Sequence, residues 1–557
     1  MKGRKIAFTL LLGGILLPAA AWVHLAFPPA AEAQTVTQQT VEVGQVAPNA
    51  PSLAATPAPQ LSDRELEALL QRKLELREQM ATPVENNLPS PPGLPLVRGR
   101  ETQVAVPADA QVLGDPSLFV VGRNSLNTNA KSSNGSTLAE PAAANSAKHI
   151  FSAGNTRHAE FSTDGGLTYT NVPIPGGPTD APIALGDTDV IIDDARRVTF
   201  WSQLYVNSTV SNGVIRIFVR SNIPTADCSF DIDPGGTANN ILPDYPHIGL
   251  TKRFLYLTIN AVGSGGGFAR IYRFNMDQLA NCVTTSFTTF SQPFNTFGQR
   301  VWTPGEGTNN LETMYWGQLD NSTTFRIFSW PEAAAAPTGV TRAITASPFN
   351  DPDCRGGTNN TDYIGALNAS GRGFQLRTTA APGALGGPGV LASYWQVGTD
   401  AVHPQGHIHA AVFRLSDLVL ISQPHIFSSA FCFGFPQVTA NKRGDIGITL
   451  AVGGRAGGGG TAARGYVGLD DEFTSGVGAF GTVFLTANGT HNRSDGRYGD
   501  YFTIHPYEPC EKWFTATNYS LLNGTAVSNV NSRYVEFGRN QSVRCYRAHR
   551  DQVPATQ

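Results

Sequence analysis

The chain reads DTDVIID at residues 187–193, RVTFWSQLY at 197–205 and VIRIFV at 214–219. Short turns rich in Asp, Arg, Asn, Ser and Gly separate these apolar runs, a pattern typical of consecutive β-strands. Comparable units start near residues 115, 244, 299, 362, 436 and 498. From residue 187 onward the starts are about 55 to 75 residues apart, which indicates a repeat that contains several short strands.

This period predicts an all-β fold in which small sheets stack around an axis. One small sheet cannot bury both of its faces, whereas a ring of sheets covers the faces and leaves only short edges. We therefore predict a single β-propeller over residues 111–545, with seven blades and six as the alternative. Tandem β-sandwiches are the rival fold, but they do not predict one spacing over seven units.

A closed ring requires its first and last strands to meet. The first strand-like run of the repeat is Pro116–Val121 and the last is Ser532–Phe537. We expect these runs to lie in the same blade or in adjacent blades, because pairing there removes two exposed edges.

Composition excludes several classes of protein. Charged residues are only 15% of the 557 residues, while 30 Phe and 41% hydrophobic residues supply a large core. This composition does not fit a disordered chain. The formal net charge of −3 argues against nucleic acid or an anionic membrane as the main partner.

The N-terminus resembles a signal peptide over residues 1–33. Lys2, Arg4 and Lys5 precede the apolar run Ile6–Ala21, and Ala31-Glu32-Ala33 has the form of a cleavage site. An uncleaved anchor is the alternative, because apolar residues continue to Phe27. No later segment has the ~20 apolar residues that a membrane-spanning helix needs. We expect a secreted, periplasmic or envelope protein without a transmembrane span after cleavage.

The six cysteines fit an oxidising compartment. None forms a C-x-x-C pair, which disfavours zinc ribbons and thioredoxin-like redox chemistry. Fifteen pairings are open, and pairing of neighbours is the simplest: Cys228 with Cys282, Cys354 with Cys432, and Cys510 with Cys545.

Residues 34–110 are predicted to be a flexible region that contains one helix near 62–81. Ser62 and Glu65 form a capping box, and leucines follow at helical spacing. The segments around the helix are rich in Pro, Ala and Gln, which is typical of linkers. Residues 546–557 are predicted to be a C-terminal tail.

The segment Ser162-Thr-Asp164-Gly165-Gly166-Leu-Thr-Tyr169 is a compact turn motif. Asp164 can accept hydrogen bonds from turn amides, and the glycines permit positive φ. The motif resembles the Asp-box of sialidase-like (BNR-repeat) propellers, with Tyr169 in place of the usual tryptophan. The resemblance implies a structural role for it and no catalytic one.

A second resemblance covers most of residues 115–540. The segments 194–201, 244–247, 444–447 and 497–501 look like blade starts of exported bacterial propellers of the sialidase superfamily, a group without an assigned activity. Sialidase chemistry itself does not carry over. The Phe-Arg-Ile-Pro motif is absent, and Phe325-Arg326-Ile327-Phe328 lacks the proline.

The best site candidates are polar residues at the starts of inner strands, which surround the mouth of a propeller channel. They are Asp244, Tyr245, His247, Arg497, Asp500 and Tyr501. The competing interpretation is that these charges pair between neighbouring blades and hold the ring together.

His403, His407 and His409 form the densest histidine cluster. His407 and His409 share one face of a strand and could present two imidazoles to a metal ion. Ordinary hydrogen-bonded histidines are the alternative. No cofactor is required by this reading, and Ca²⁺ in the channel is compatible with it.

Two functions remain open. One is a recognition or scaffold module with a glycan or protein ligand. The other is a hydrolase of glycans or other polymers with its site in the channel, which would need two carboxylates ~5–9.5 Å apart in a concave pocket.

Overall fold

The structure is a computed structural model. It describes residues 40–49, 58–59, 61–79, 101–103, 120–126, 140–155, 158–221, 227–235, 240–263, 266–294, 302–307, 311–350, 352–364, 376–381, 389–470, 480, 483–493, 498, 502–525 and 529–550. The signal peptide predicted for residues 1–33 lies outside these ranges.

Strands dominate the described chain. They are β1 (Thr40–Val46), β2 (Glu101–Gln103), β3 (Val120–Leu126), β4 (Ala142–Ser146), β5 (His149–Gly154), β6 (His158–Ser162), β7 (Thr170–Asn171), β8 (Ile183–Asp193), β9 (Val198–Val206), β10 (Gly213–Arg220), β11 (Cys228–Ile232), β12 (Ile241–Leu250), β13 (Phe254–Gly263), β14 (Gly266–Asn275), β15 (Thr285–Pro293), β16 (Thr313–Asn321), β17 (Thr324–Pro331), β18 (Thr338–Ala343), β19 (Cys354–Gly356), β20 (Thr361–Asp362), β21 (Arg377–Ala381), β22 (Val390–Val397), β23 (His407–Arg414), β24 (Leu420–Ser422), β25 (His425–Phe427), β26 (Cys432–Ala440), β27 (Ile446–Gly453), β28 (Arg455–Ala456), β29 (Arg464–Leu469), β30 (Val483–Ala487), β31 (Ile504–Pro506), β32 (Trp513–Asn518) and β33 (Arg533–Gly538). The helices are α1 (Asp63–Gln79), α2 (Met276–Ala280) and α3 (Val543–Arg550).

The strands form a succession of antiparallel sheets. In chain order the sheets are built on β4–β7, on β8–β11, on β12–β15, on β16–β18, on β21–β25, on β26, β27, β29 and β30, and on β31–β33. Strands β19, β20 and β28 form a separate small sheet, so the unit predicted to start near residue 362 begins instead at β21.

The first strand of one sheet packs against the first strand of the next. Strand β4 contacts β8, β8 contacts β12, β16 contacts β21, β21 contacts β26, β26 contacts β31, and β31 returns to β4. The sheets of β12 and β16 share an apolar cluster that includes Tyr256 and Trp316. This cyclic packing is a β-propeller and excludes tandem sandwiches.

Three strands from the N-terminal region complete sheets of the ring. Strand β1 pairs with β15, β2 pairs with β25, and β3 pairs with β33. The expected meeting of the chain ends is therefore confirmed, since β3 and β33 lie in one sheet. The flexible linker predicted around the helix is wrong for residues 40–46, because this run has an alternating β pattern that fills the open edge of β15.

Helix α1 confirms the predicted helix. The Ser62 hydroxyl accepts from the Glu65 amide, and the Glu65 carboxylate accepts from the Ser62 amide at 2.7 Å. Leu66 and Leu69 are buried in the apolar cluster of the β8 and β12 sheets. The helix is therefore part of the folded domain.

All three predicted disulfides are present: Cys228–Cys282, Cys354–Cys432 and Cys510–Cys545. They indicate an oxidising environment. Within the described ranges, every helix is too short or too polar to cross a bilayer.

The predicted tail boundary at residue 546 is wrong. Tyr546 lies in helix α3, is buried, and stacks on Trp513 with ring centroids 4.0 Å apart. Because the Cys510–Cys545 disulfide holds the helix beside the last sheet, the folded domain extends at least to Arg550.

Candidate functional site

The inner strands share a backbone irregularity. Strands β8, β12 and β26 each shift register with the next strand, and Asp187, Tyr245 and Phe435 adopt positive φ at those points. Two residues further on, Asp189, His247 and Gln437 are buried polar side chains. Bulges re-aim side chains and positive φ strains a non-glycine backbone, so this repeated feature marks the axis as a candidate site.

Helix α1 reaches this region through one lysine. The Lys73 ammonium forms an ion pair with the Asp187 carboxylate and lies 2.8 Å from Asp244 Oδ1. All three side chains are at most 4% exposed. Burial raises the pKa of Asp187, against the lowering effect of Lys73, and the nearby Asp244 raises it further. The lysine therefore stabilises two carboxylates that would otherwise repel each other.

Arg377 of β21 joins strands from two other sheets. Its guanidinium donates to the Tyr245 hydroxyl at 2.8 Å and to Gln437 Oε1 at 2.5 Å. It also lies 3.2 Å from His247 Nε2. Burial, and then the charge of Arg377, lower the pKa of His247 well below its usual range, so the ring is neutral and Nε2 accepts from the guanidinium. We call Lys73, Asp187, Asp244, Tyr245, His247 and Arg377 the axial cluster.

A second group of charges lies next to the axial cluster. Asp189 Oδ2 is 3.4 Å from His247 Nδ1 and accepts from the Ile248 amide. Burial raises the pKa of Asp189 to about 7, and Glu306 adds to the shift. His505 lies 3.5 Å from Glu306; burial lowers the pKa of His505, but Glu306 and Asp189 outweigh that effect and raise it overall. The charges of Asp189, Glu306 and His505 thus influence one another's pKa values.

The inner strands end at a cleft of ≈ 330 Å³. We call it the strand-end cleft; its charged lining residues are Asp193, Asp194, Arg196, Lys252, Glu508 and Glu511. Glu508 also lines a smaller cavity beside Glu306 and His505. Burial raises the pKa of Glu508 well above its usual range, and Glu511, Asp194 and Asp193 add to the shift. Burial among carboxylates therefore favours the protonated form of Glu508, which lines both the cleft and the smaller cavity.

The structure brings together three of the six channel-mouth candidates. Asp244, Tyr245 and His247 belong to the axial cluster, whereas Arg497, Asp500 and Tyr501 lie outside the described residues. Sequence reasoning missed Lys73, Asp187, Arg377 and Glu508. The recurrence of a turn residue two positions before a polar one, in DTD, YPH and FPQ, could have indicated Asp187 and Gln437.

The turn at 162–169 has the predicted local geometry and lies between β6 and β7. Asp164 Oδ1 accepts from the amides of Leu167 and Thr168 at 3.0 and 2.9 Å. Gly165 and Gly166 have φ of 72° and 77°, and Tyr169 is buried. These contacts are internal to the hairpin and contribute no group to the axis.

The histidine cluster differs from the predicted set. Strands β23 and β25 place His409 directly opposite His425, with ring centroids 4.2 Å apart. His425 Nδ1 lies 3.1 Å from His407 Nε2, while His409 Nδ1 lies 2.8 Å from the Ser347 hydroxyl. Burial, followed by the neighbouring imidazoles, lowers the pKa of His407 to about 3. Burial, and then His403, lower that of His425 to about 4. These two imidazoles are neutral at physiological pH.

No family model matches the chain. No curated protein matches it either. Solved structures do. A Trypanosoma rangeli sialidase in complex with sialic acid is 12% identical, with a TM-score of 0.36, over 63% of this chain and 57% of the sialidase. An Aleuria aurantia lectin bound to α-methyl-L-fucoside is 10% identical, with a TM-score of 0.32, over 63% of this chain and 96% of the lectin.

A Fusarium graminearum α-L-arabinofuranosidase is 9% identical, with a TM-score of 0.35, over 79% of this chain and 97% of the enzyme. The chain thus spans little more than half of the sialidase but nearly the whole of the other two proteins. The β-propeller assignment rests on the chain's own sheets and their cyclic packing.

Proposed function

We propose that the protein is an exported recognition or scaffold module that acts at the cell envelope or outside the cell. In this proposal it holds a glycan or protein ligand without chemical turnover. One observation carries the proposal. The buried carboxyl groups of Asp187 and Asp244 share the ammonium of Lys73, a cation of the chain itself.

Glycoside hydrolysis places substrate between two carboxyl groups in a concave pocket. In the axial cluster, a lysine ammonium occupies the space between the two carboxylates. Arg377 is held by Tyr245, His247 and Gln437. These contacts stabilise the ring, and they match the interpretation in which charges pair between blades.

The strand-end cleft is the surface best suited to a ligand. Its volume of ≈ 330 Å³ falls within the range of small-ligand sites. Lys252 is half exposed there, and Arg196 is held between Asp193 and Asp277. The cleft offers charged groups of both signs, which can donate and accept hydrogen bonds. Such groups suit a polar, uncharged ligand such as a sugar. No cofactor is required in this proposal, and Ca²⁺ is the ion that we would add as a test.

Hydrolysis of glycans or other polymers in the channel is the second candidate, and Glu508 favours it. A carboxyl group kept protonated by burial and by neighbouring carboxylates has the property that a general acid needs. Glu508 lines both the strand-end cleft and the smaller cavity beside Glu306 and His505, and this position would give it access to a substrate.

A glycan array with a parallel assay for released sugar separates the two candidates. We expect binding without product, unchanged by EDTA. Release of product by the wild type, lost in Glu508→Gln and kept in Glu75→Gln, would contradict the binding proposal in favour of the hydrolase. Glu75 is a suitable control because its side chain is exposed on helix α1 and lines neither cavity. Absence of both binding and product would contradict a glycan ligand.

A further inference from the structure

The histidine cluster lies in the β21–β25 sheet, apart from the axial cluster. His407 belongs to β23, His425 to β25, and His403 to the loop that precedes β23. One ring nitrogen from each of these residues lies within 4.8 Å of the other two, and all three residues are buried. The His403 ring stacks on both partners, at 4.2 and 4.5 Å between centroids.

Hydrogen bonds to the outer nitrogens fix the orientation of two rings. Asp400 Oδ2 lies 2.9 Å from His403 Nδ1, so this nitrogen carries the proton and donates it to the carboxylate. The backbone oxygen of Gln405 lies 3.3 Å from His407 Nδ1 and accepts in the same way. In both rings Nε2 then carries the lone pair: that of His403 has no hydrogen-bond partner among the described residues, whereas that of His407 faces His425 Nδ1 at 3.1 Å. Carboxylates and carbonyls behind histidines are the partners that metal-binding histidines have in proteins.

The inner nitrogens have the spacing that a metal centre needs, and the one on His403 has no hydrogen-bond partner among the described residues. His403 Nε2 is buried and makes no hydrogen bond within the described part of the chain. The 3.1 Å between His407 Nε2 and His425 Nδ1 is close to the about 3.4 Å expected between two ligands of a tetrahedral ion bound at 2.0–2.1 Å.

We propose that His403, His407 and His425 bind a transition metal ion, with Asp400 and the Gln405 carbonyl as the groups that orient the ligands. Three imidazole nitrogens suit Zn²⁺, Cu²⁺ or Ni²⁺, whereas Ca²⁺ requires oxygen ligands. The ion joins the loop that carries His403 to strands β23 and β25.

His409 is not a ligand in this site, although its ring stacks on the ring of His425. Its Nδ1 is directed at the Ser347 hydroxyl, which also accepts from the Trp395 indole at 3.1 Å. The predicted set of His403, His407 and His409 is thus corrected. The two histidines on one face of β23 diverge, and the neighbouring strand supplies the third ligand.

Zn²⁺ titration of the chelator-treated full chain tests the site, with calorimetry for affinity and Co²⁺ absorption for geometry. We expect one equivalent of Zn²⁺ and the visible spectrum of a tetrahedral Co²⁺ centre. His425→Gln should weaken Zn²⁺ binding at least 100-fold. Asp400→Asn, which changes only an orienting group, should weaken it about 10- to 100-fold.

His409→Gln is the matched control, since it removes a buried histidine of the same stack and should leave Zn²⁺ affinity and stoichiometry unchanged. If His425→Gln does not fold, as judged by circular dichroism, His403→Gln in the loop replaces it with the same expected loss. The proposal is overturned if the wild type binds no Zn²⁺. It is also overturned if the control loses as much affinity as the ligand variants, because the cluster would then be a hydrogen-bonded packing stack.

Discussion

The axial cluster and the strand-end cleft stabilise their buried carboxyl groups by different means. At the axial cluster, Asp187 and Asp244 share the ammonium of Lys73, which helix α1 inserts from outside the repeated sheets. At the strand-end cleft, Glu508 lies among other carboxylates, and its raised pKa favours the protonated form.

The comparison shows that one fold can stabilise buried carboxyl groups in two ways: with a cation from an element outside the repeated sheets, or with a bound proton. A cation contributes a fixed contact within the axial cluster. A protonated carboxyl can still donate or release its proton, which would let the strand-end cleft act on a ligand. The predictions below separate these two arrangements.

Truncation after residue 525 should have the largest effect. It removes β33, which pairs with both β3 and β32, together with helix α3 and its disulfide. Because the ring can no longer close, the axial cluster and the strand-end cleft should both lose structure. Hydrogen exchange of the β9 amides, far from the cut in sequence, measures this loss. Truncation after residue 550 is the control. Native protection of β9 in the shorter chain would show that closure is not required.

Lys73→Met should cost ~3–5 kcal/mol of unfolding free energy at pH 7, because two buried carboxylates lose their cation. Urea denaturation measures the loss. Asp187 already has a raised pKa in the folded state, so its native form binds protons more readily than its unfolded form. The variant should therefore regain stability as the pH falls below 7.

Arg64→Met on the exposed face of the same helix is the control and should change stability by less than ~0.5 kcal/mol. If Lys73→Met matches that control at every pH, the axial cluster does not depend on the lysine. The axial cluster and the strand-end cleft would then not differ in how they stabilise their carboxyl groups.

Asp164→Ala should lower the unfolding free energy by ~1–2 kcal/mol, because the turn amides of Leu167 and Thr168 lose their acceptor. The turn contributes no residue to the axial cluster or the strand-end cleft, so ligand binding should be unchanged. Thr163→Ala, at the exposed neighbouring position, is the control. Loss of binding with an unchanged melting temperature would assign the turn to a site.

Glu508→Gln should have the smallest effect, less than ~1 kcal/mol at pH 6, because the amide resembles the protonated carboxyl in size and polarity. The folded-state pKa of Glu508 is raised, so the wild type loses stability as the pH rises from its ordinary range through that value. The variant should lack this decline. Urea midpoints between pH 5 and 8 measure it, and equal slopes would mean that Glu508 is ionised.

Sequence reasoning reached the fold and part of the site. The strands around Trp201 and the turn at Asp164 were predictable, because alternation and turn residues act over a few positions. Asp244, Tyr245 and His247 were predictable as a polar group at a strand start. Lys73 was not, because its position on a charged helix is typical of solvent exposure, and its partner Asp187 is 114 residues away.

The histidine cluster shows the same limit at shorter range. His407 and His409 share a face of β23, as the period of a strand requires. Which of them meets His425 and His403 depends on the register of β23 with β25 and on the path of the preceding loop. Neither is encoded in the spacing of the histidines.

The sequence by itself determined the strands, the repeat and the helix start at Ser62. Each depends on side-chain alternation or turn chemistry over a few positions. Only the tertiary structure decided which cysteines pair, that β1, β2 and β3 complete distant sheets, that two aspartates share the ammonium of Lys73, and that Glu508 is buried among acids. Charge pairing and the pKa of a buried group depend on distance and on the exclusion of water, and these quantities exist only once the ring has closed.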